Sequence, residues 1–398
     1  MNRALAALTI VLAANAASAR QPAPDGFYVR EGYAVTAAVE RLPGARFMEF
    51  DAAGRLYVSR PRMHGGPGDI AVFSDGDADG AWEPAGTFVA GLDSVHGLHF
   101  FDGWLWYTTD TTVNRGRDTN GDGTADETVT VLSGLPGRGH WWRPIFVTPE
   151  GFYTSIGDIG NITDQTETDR QKTWLYGLDG SSRTLFASGI RNTEKYRFRP
   201  GTTELWGFDH GSDWFGRDAG DKTRGPQPVT DLNPPDELNL YVRDGFYGHP
   251  FVVGMRLPRY EFMKRDDINE LAARTIPPEW SVGAHWACNG WTFIDPAINA
   301  KANVFPANHE GDILVAAHGS WNSSKPVGYC VARVLFDKDP ASDRFARPYG
   351  LETVVGCVDG KGEVLARPAD CVQAPDGSVL FTADVPGRIY RLTHVGGK

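Results

Sequence analysis

One short pattern recurs six times along the 398 residues: a turn containing glycine, an apolar or aromatic run, then a polar residue. It occurs at Asp51–Arg60, Phe101–Asp110, Pro149–Asp158, Pro200–His210, Glu310–His318 and Pro375–Asp384. The turn glycines Gly54, Gly103, Gly151, Gly201, Gly311 and Gly377 step by 49, 48, 50, 110 and 66 residues. A period near 50 holds one four-stranded sheet with its loops, the unit of a β-propeller. The spacing therefore predicts an all-β, six-bladed β-propeller with four-stranded antiparallel blades. The 110-residue step is expected to hold a long insertion carrying Pro234-Pro235 and Pro277-Pro278. Equivalent strand ends of all blades converge on the central channel. Arg60, Asp110, Asp158, His210, His318 and Asp384 are thus expected to ring one axial pocket. Paired β-sandwiches would give short strands but not this period.

Composition narrows the setting. Arg3, the apolar run Ala4–Ala14 and the small residues Ala17-Ser18-Ala19 read as a secretory leader over residues 1–19, with the propeller over 20–398. No later run is long and apolar enough to span a membrane. The expected location is periplasmic or secreted. Removing Arg3 from 39 Lys and Arg, against 50 Asp and Glu, leaves a net charge of −12, which argues against nucleic acid or anionic lipid as partner. Cys288, Cys330, Cys357 and Cys371 lie in the last third, where an oxidising compartment makes one or two disulfides plausible. No C-x-x-C-H occurs, so no covalently attached c-type haem is expected. No Gly-rich strand-to-helix loop supports a nucleotide fold.

Two local features carry chemistry. Gly139-His140-Trp141-Trp142-Arg143 runs through Thr148-Pro149-Glu150-Gly151 to Asp158 as a hairpin. A three-residue loop with Gly151 left-handed would pair Thr148 with Phe152 and set His140 diagonally from Asp158 on one face. A histidine held by a carboxylate is a usual general base near neutral pH. Two loops, Asp75-Gly-Asp77-Ala-Asp79 through Glu83 and Asp118-Thr-Asn120-Gly-Asp122 through Asp126, share a spacing of acidic side chains around a glycine turn. Alternate oxygens there suit a hard cation such as Ca²⁺ in a structural role. The twelfth-position Glu of an EF-hand is missing, with Gly86 and Val129 in its place.

Further motifs follow in order: Ala187-Ser-Gly-Ile-Arg191-Asn192, Glu204 to Gly211, Pro235-Asp236-Glu237-Leu-Asn239, Gly245 to Pro250, His318-Gly-Ser-Trp-Asn322 and Arg367-Pro-Ala-Asp370. Together, over roughly residues 30–395, they resemble the soluble quinoprotein glucose/sorbosone dehydrogenase family, in its sorbosone-type branch. The resemblance implies a six-bladed propeller with pyrroloquinoline quinone (PQQ) and Ca²⁺ in an axial cofactor pocket. It implies oxidation of the C1 hydroxyl of an aldose or related pyranose to the lactone, with electrons passed to an external acceptor, a cytochrome or quinone. By the same resemblance His140 is the general base and Asp158 the carboxylate orienting it. Arg191 lies near the reacting carbonyl, Asn192 beside it on the cofactor, and Gly211 and Ser212 ligate the catalytic Ca²⁺ through main-chain carbonyls. Arg367 pairs with a cofactor carboxylate, whereas the family's cofactor lysine has no clean counterpart, Lys325 standing several residues beyond His318 as a further candidate cation. PQQ is a tricarboxylate, so an acidic protein must bring cations to the axis. This chain departs from the family pattern at Asn192-Thr193-Glu194, where Asn-Pro is common, and at Ala369, where glucose-type members carry arginine.

Two other functions fit parts of the pattern. A Ca²⁺-dependent propeller lactonase or esterase would hold its metal with axial carboxylates such as Asp110, Asp158 and Asp384. A non-catalytic, glycan-binding propeller would need no cofactor.

Overall fold

The computed structural model describes residues 23–215 and 228–395; the leader expected at residues 1–19 lies outside them. Six sheets of four or five strands and one two-stranded ribbon make up the β structure. Met48–Phe50, Leu98–Phe101, Phe146–Thr148, Thr193–Phe198, Cys288–Phe293 and Arg367–Gln373 are the innermost strands of blades I to VI. Each packs against the next until the sixth meets the first. The expected six-bladed propeller is what forms.

Burial along each blade explains the repeated motif. The second strands, Leu56–Arg60, Trp104–Thr108, Gly151–Ile156, Leu205–Asp209, Ile313–Ala317 and Val379–Val385, are buried almost end to end. A strand covered on both faces reads as a continuous apolar run instead of an alternating one. The outermost strands Glu83–Ala90 and Glu127–Leu132 face water and are largely exposed. Aromatic side chains fill the gaps between blades: Trp206, Phe208, Trp291 and Phe336 share one core between blades IV and V.

The ring closes with a strand from near the start of the chain. Tyr33–Val39 pairs antiparallel with Arg388–His394 and supplies the outer strand of blade VI. The 110-residue step resolves into two insertions in blade IV. Residues 210–234 separate its second and third strands, and residues 242–279 separate its third and fourth. The expected prolines adjoin strands: Pro235 opens Pro235–Tyr241, and Pro277-Pro278 precede Trp280–Ala284. The second insertion lays Gly245–Phe246 parallel to Arg183–Ser188, which ties blade IV to blade III.

Two expectations need correction. The blade III hairpin has a two-residue loop, so Thr148 pairs with Gly151 and Val147 with Phe152. The four cysteines are buried free thiols, Cys357 and Cys371 in one apolar cluster and Cys288 and Cys330 in another. Among the described residues no helix is long and apolar enough to cross a membrane.

If the strand Tyr33–Val39 closes the ring, a chain beginning at Glu40 loses the single cooperative thermal transition shown by one beginning at Ala23. Far-UV circular dichroism melts read this out, and coincident melting curves would contradict it.

Candidate active site

The innermost strands all enter from one end of the axis, and the residues just before them meet there. A cavity of about 250 Å³ opens among Arg46, His140, Trp142, Arg191, Glu194 and His318, with His64, His210, Gly211 and Asp236 beside them. Arg46 precedes the first strand of blade I, His140 and Trp142 precede that of blade III, and Arg191 to Glu194 enter that of blade IV.

Buried charge at the floor is paired. Arg46 donates to Asp384 Oδ2 at 2.9 Å and reaches Glu194 Oε2 at 3.4 Å. Its guanidinium lies 4.9 Å from the Trp142 ring, and its Nε has no hydrogen-bond partner among the described residues. Asp384 also accepts from His318 Nε2 at 3.0 Å and sits 3.2 Å from His64 Nδ1. Burial alone would raise the Asp384 pKa, but His318, His64 and Arg46 hold it well below the carboxylate range. Glu194 goes the other way: burial lifts it to about 7 despite Arg46. Burial pushes His318 down to about 4.

His140 is fixed by main chain. Its N–H and its Nδ1 both lie on the Asp158 carbonyl oxygen, at 2.9 and 2.8 Å. Nδ1 therefore carries the proton, and Nε2 is left with a lone pair on the cavity side of the ring. Burial, and next the Arg191 cation, push its pKa down to about 3, so the free protein holds a neutral imidazole. Two glycines allow this close crossing. A Cβ on Gly139 would stand 2.4 Å from Ile159 Cα, and one on Gly157 would stand 2.7 Å from both the His140 Cβ and the Arg191 oxygen.

The neighbouring turn hangs on buried carboxylates. Asp209 accepts the N–H groups of Arg191 at 2.9 Å and Asn192 at 2.6 Å. Asp236 accepts those of Gly211 at 2.8 Å and Cys288 at 3.1 Å. Burial raises Asp209 to about 6 and Asp236 to about 7. Arg191 is steadied by Asn161, whose carbonyl and side-chain oxygens accept at 3.0 and 3.1 Å. His210 accepts from Asn192 and donates to the Cys288 carbonyl.

The structure thus gathers His140, Arg191, Asn192 and Gly211 on one cavity and separates other expected residues from it. Of the six polar strand ends, His210 and His318 line the cavity and Asp384 lies behind them. Arg60 pairs outward with Asp69, and Asp110 accepts from Ser94. These ends belong to second strands, one step out from the axis. The Asp158 carboxylate does not touch His140; it is taken by His249, Gln171 and the N–H groups of Gly160 and Thr163. Arg367 lies behind the rim, 3.8 Å from the Trp321 ring, donating to the carbonyls of His318 and Gly319. Lys325 is exposed on the loop beyond and does not line the cavity. Ser212 faces a smaller space of about 20 Å³, its hydroxyl held by Trp214 and Arg259.

The acidic loops also diverge. Carboxylate oxygens of Asp75, Asp77 and Asp79 all lie within 4.8 Å of one another, while Glu83 opens the adjoining strand. In the second loop Asp118 is bound by Arg55 at 2.7 Å and by the N–H of Gly123, Asn120 donates to Asp126, and Asp122 caps Thr124. Among the described residues the carboxylates of Asp118, Asp122 and Asp126 do not form such a group, and Arg55 already pairs with Asp118, so the expected cation set of Asp118, Asn120, Asp122 and Asp126 is not assembled.

Arg46 and His64 were not singled out from sequence, and Glu194 and Asp236 stood in quoted motifs without a site role. For Arg46 and Glu194 the available signal was position, polar residues at the entry of a blade's first strand, whereas His64 follows the second strand of blade I and Asp236 lies in the third strand of blade IV.

The TrAA12-like family model matches residues 27–395. An uncharacterized protein of Borreliella burgdorferi is 31% identical over 216 residues, 54% of this chain, and the match spans half of that protein. The calcium structure of Trichoderma reesei carbohydrate-active enzymes family AA12 superposes with TM-score 0.75 at 18% identity, covering 94% of this chain and 98% of that one. The holo form of the pyranose dehydrogenase PQQ domain from Coprinopsis cinerea gives 0.74 at 16%, covering 92% and 97%. The apo soluble aldose sugar dehydrogenase of Escherichia coli gives 0.60 at 15%, covering 91% and 100%. At these identities the likeness to solved structures is one of fold.

Burial, then Asp209, raises Glu237 beside this site to about 8. A folded-state pKa above the unfolded value contributes stability below the unfolded pKa that is lost as pH rises through the folded one. Thermal melts of the metal-free protein should therefore fall from pH 7 to 9. Glu237→Gln should lessen that fall by ~1–3 °C. An unchanged slope would contradict the assignment.

Proposed function

This chain belongs to the TrAA12-like family, and from that footing we propose that it is a PQQ-dependent sugar dehydrogenase. The observation that carries the reading is the meeting of Arg46, Arg191 and a neutral His140 on one axial cavity. The donor set fits a planar polyanion. Two arginines offer charge-assisted hydrogen bonds, Asn192 lies beside one of them, and the Trp142 ring offers an apolar face. Arg46 takes the place that Arg367 and Lys325 were expected to fill. The Gly211–Ser212 turn is the proposed source of carbonyl oxygens for Ca²⁺. A second, structural cation is proposed at Asp75, Asp77 and Asp79. The calcium and PQQ named for the Trichoderma and Coprinopsis proteins support the cofactor pair.

Bound there with Ca²⁺, PQQ supplies the hydride acceptor. The chain's own part is to hold the sugar's C1 hydroxyl at His140 Nε2 and take its proton as the C1 hydride leaves, giving the lactone. Asp158 keeps Nδ1 protonated through its carbonyl, which keeps Nε2 a base. An anionic ligand in the cavity opposes Arg191 and lifts His140 from about 3 toward the working range of a general base. Electrons then pass to an external acceptor, a cytochrome or quinone. The leader expected at residues 1–19 supports a periplasmic or secreted location for the propeller proposed over 20–398. A lactonase would need free axial carboxylates, whereas Asp158 and Asp384 are committed to histidine and arginine partners.

Apo protein given PQQ and Ca²⁺ should shift the quinone absorbance and then reduce an artificial dye when an aldose is added. His140→Ala should lower kcat by ~10²–10⁴-fold while PQQ binding is retained. Lactone hydrolysis without PQQ, or His140→Ala losing PQQ affinity instead of turnover, would overturn the reading.

A further inference from the structure

We propose that His249, on the long insertion of blade IV, is a positioning residue that sets the tautomer and direction of His140 by acting through Asp158. The proposal rests on the reading of His140 as the base and deepens it.

His249 is buried, and its ring Nε2 lies 2.8 Å from Asp158 Oδ2. Burial pushes its pKa down to about 4, so the neutral ring donates Nε2–H to the carboxylate. Its own main-chain N–H is held by the Gly189 carbonyl at 3.0 Å, which fixes the ring relative to blade III. Three further donors fill the same carboxylate: Gly160 N–H at 2.6 Å, Gln171 Nε2 at 2.9 Å and Thr163 N–H at 3.1 Å. Burial alone would raise the Asp158 pKa; the His249 hydrogen bond and the other donors bring it down to about 2. Asp158 is therefore an anchored anion.

That anchoring decides where the Asp158 carbonyl points. The residue's N–H is bound to the Arg191 carbonyl at 2.9 Å, and its own carbonyl takes both the N–H and the Nδ1–H of His140. Carboxylate, N–H and carbonyl of one residue thus lock the insertion, Arg191 and His140 together. Without His249, Oδ2 keeps only Gln171 and the long contact to Thr163, beside a ring-sized gap. The 157–163 segment can then turn, and the carbonyl no longer selects Nδ1–H. The other tautomer would present Nε2–H, a donor where the reaction needs an acceptor. The insertion is itself held at this end of the ring: Arg259 donates to Ser212 Oγ at 2.6 Å and to the Trp214 carbonyl at 2.8 Å. One role of the inserted residues is thus to reach back to blade III and hold the base.

The test uses full-length protein with three substitutions. His249→Ala removes the donor, His249→Asn shortens it, and His249→Gln keeps an amide N–H near the position of Nε2. In apo protein labelled with ¹⁵N-histidine, the His140 signals are assigned by their loss in His140→Ala. Wild type and His249→Gln should show protonated Nδ1 and bare Nε2, and His249→Ala and His249→Asn a tautomer mixture. With PQQ, Ca²⁺ and an aldose, kcat should fall ~10- to 100-fold in the Ala and Asn variants, with KM changed less than ~3-fold and recovery in the Gln variant. Retention of the Nδ1–H tautomer and of wild-type kcat in folded His249→Ala or His249→Asn would overturn the proposal. If no variant turns over an aldose but the tautomer still shifts, the positioning role stands and the dehydrogenase reading fails.

Discussion

Buried charge at the axis of the ring governs everything built around it. Six sheets pack radially by apolar faces, and polar side chains entering from one end are brought together around the axial cavity. An unpaired ion in that setting costs several kcal/mol, so each must find a partner or lose its charge. Both outcomes occur here. Asp384 remains an anion between Arg46, His318 and His64, whereas Glu194 and Asp236 are pushed toward their protonated forms.

The pairing decides what is left for chemistry. Asp158, Asp209 and Asp384 are consumed in holding main chain, histidines and arginine, so they are scaffold and not free ligands. Arg46 and Arg191 keep faces on the cavity, and His140 keeps one ring nitrogen without a proton. A site of this kind suits an anionic ligand and a hydroxyl that must give up a proton. The insertion in blade IV joins the scaffold because its histidine completes the Asp158 anchor.

Sequence spacing was enough for the fold. Doubly covered strands force continuous apolar runs, and glycine turns mark where each run begins. The family resemblance, added to that spacing, reached part of the site as well: His140, Arg191, Asn192 and Gly211 do meet. It failed where long-range pairing decides. Nothing local shows that the Asp158 carboxylate turns to His249, 91 residues away, while its carbonyl serves His140. Arg367 was assigned to the cavity by its motif, but a cation–π stack on Trp321 and two carbonyls hold it behind the rim. Arg46 lies in no recurring motif. Its importance comes only from ring closure, which brings it to Asp384 across 338 residues.

The central claim is that an axial cavity binds a planar polyanion between two arginines beside a histidine base. A crystal structure of the protein with PQQ and Ca²⁺ tests it most directly. The account places the quinone in the 250 Å³ cavity, in contact with Arg46 and Arg191 and with His140 Nε2 facing it. Quinone density at the opposite depression beside Asp51 and Phe100, or none in the axial cavity at saturating ligand, would contradict it.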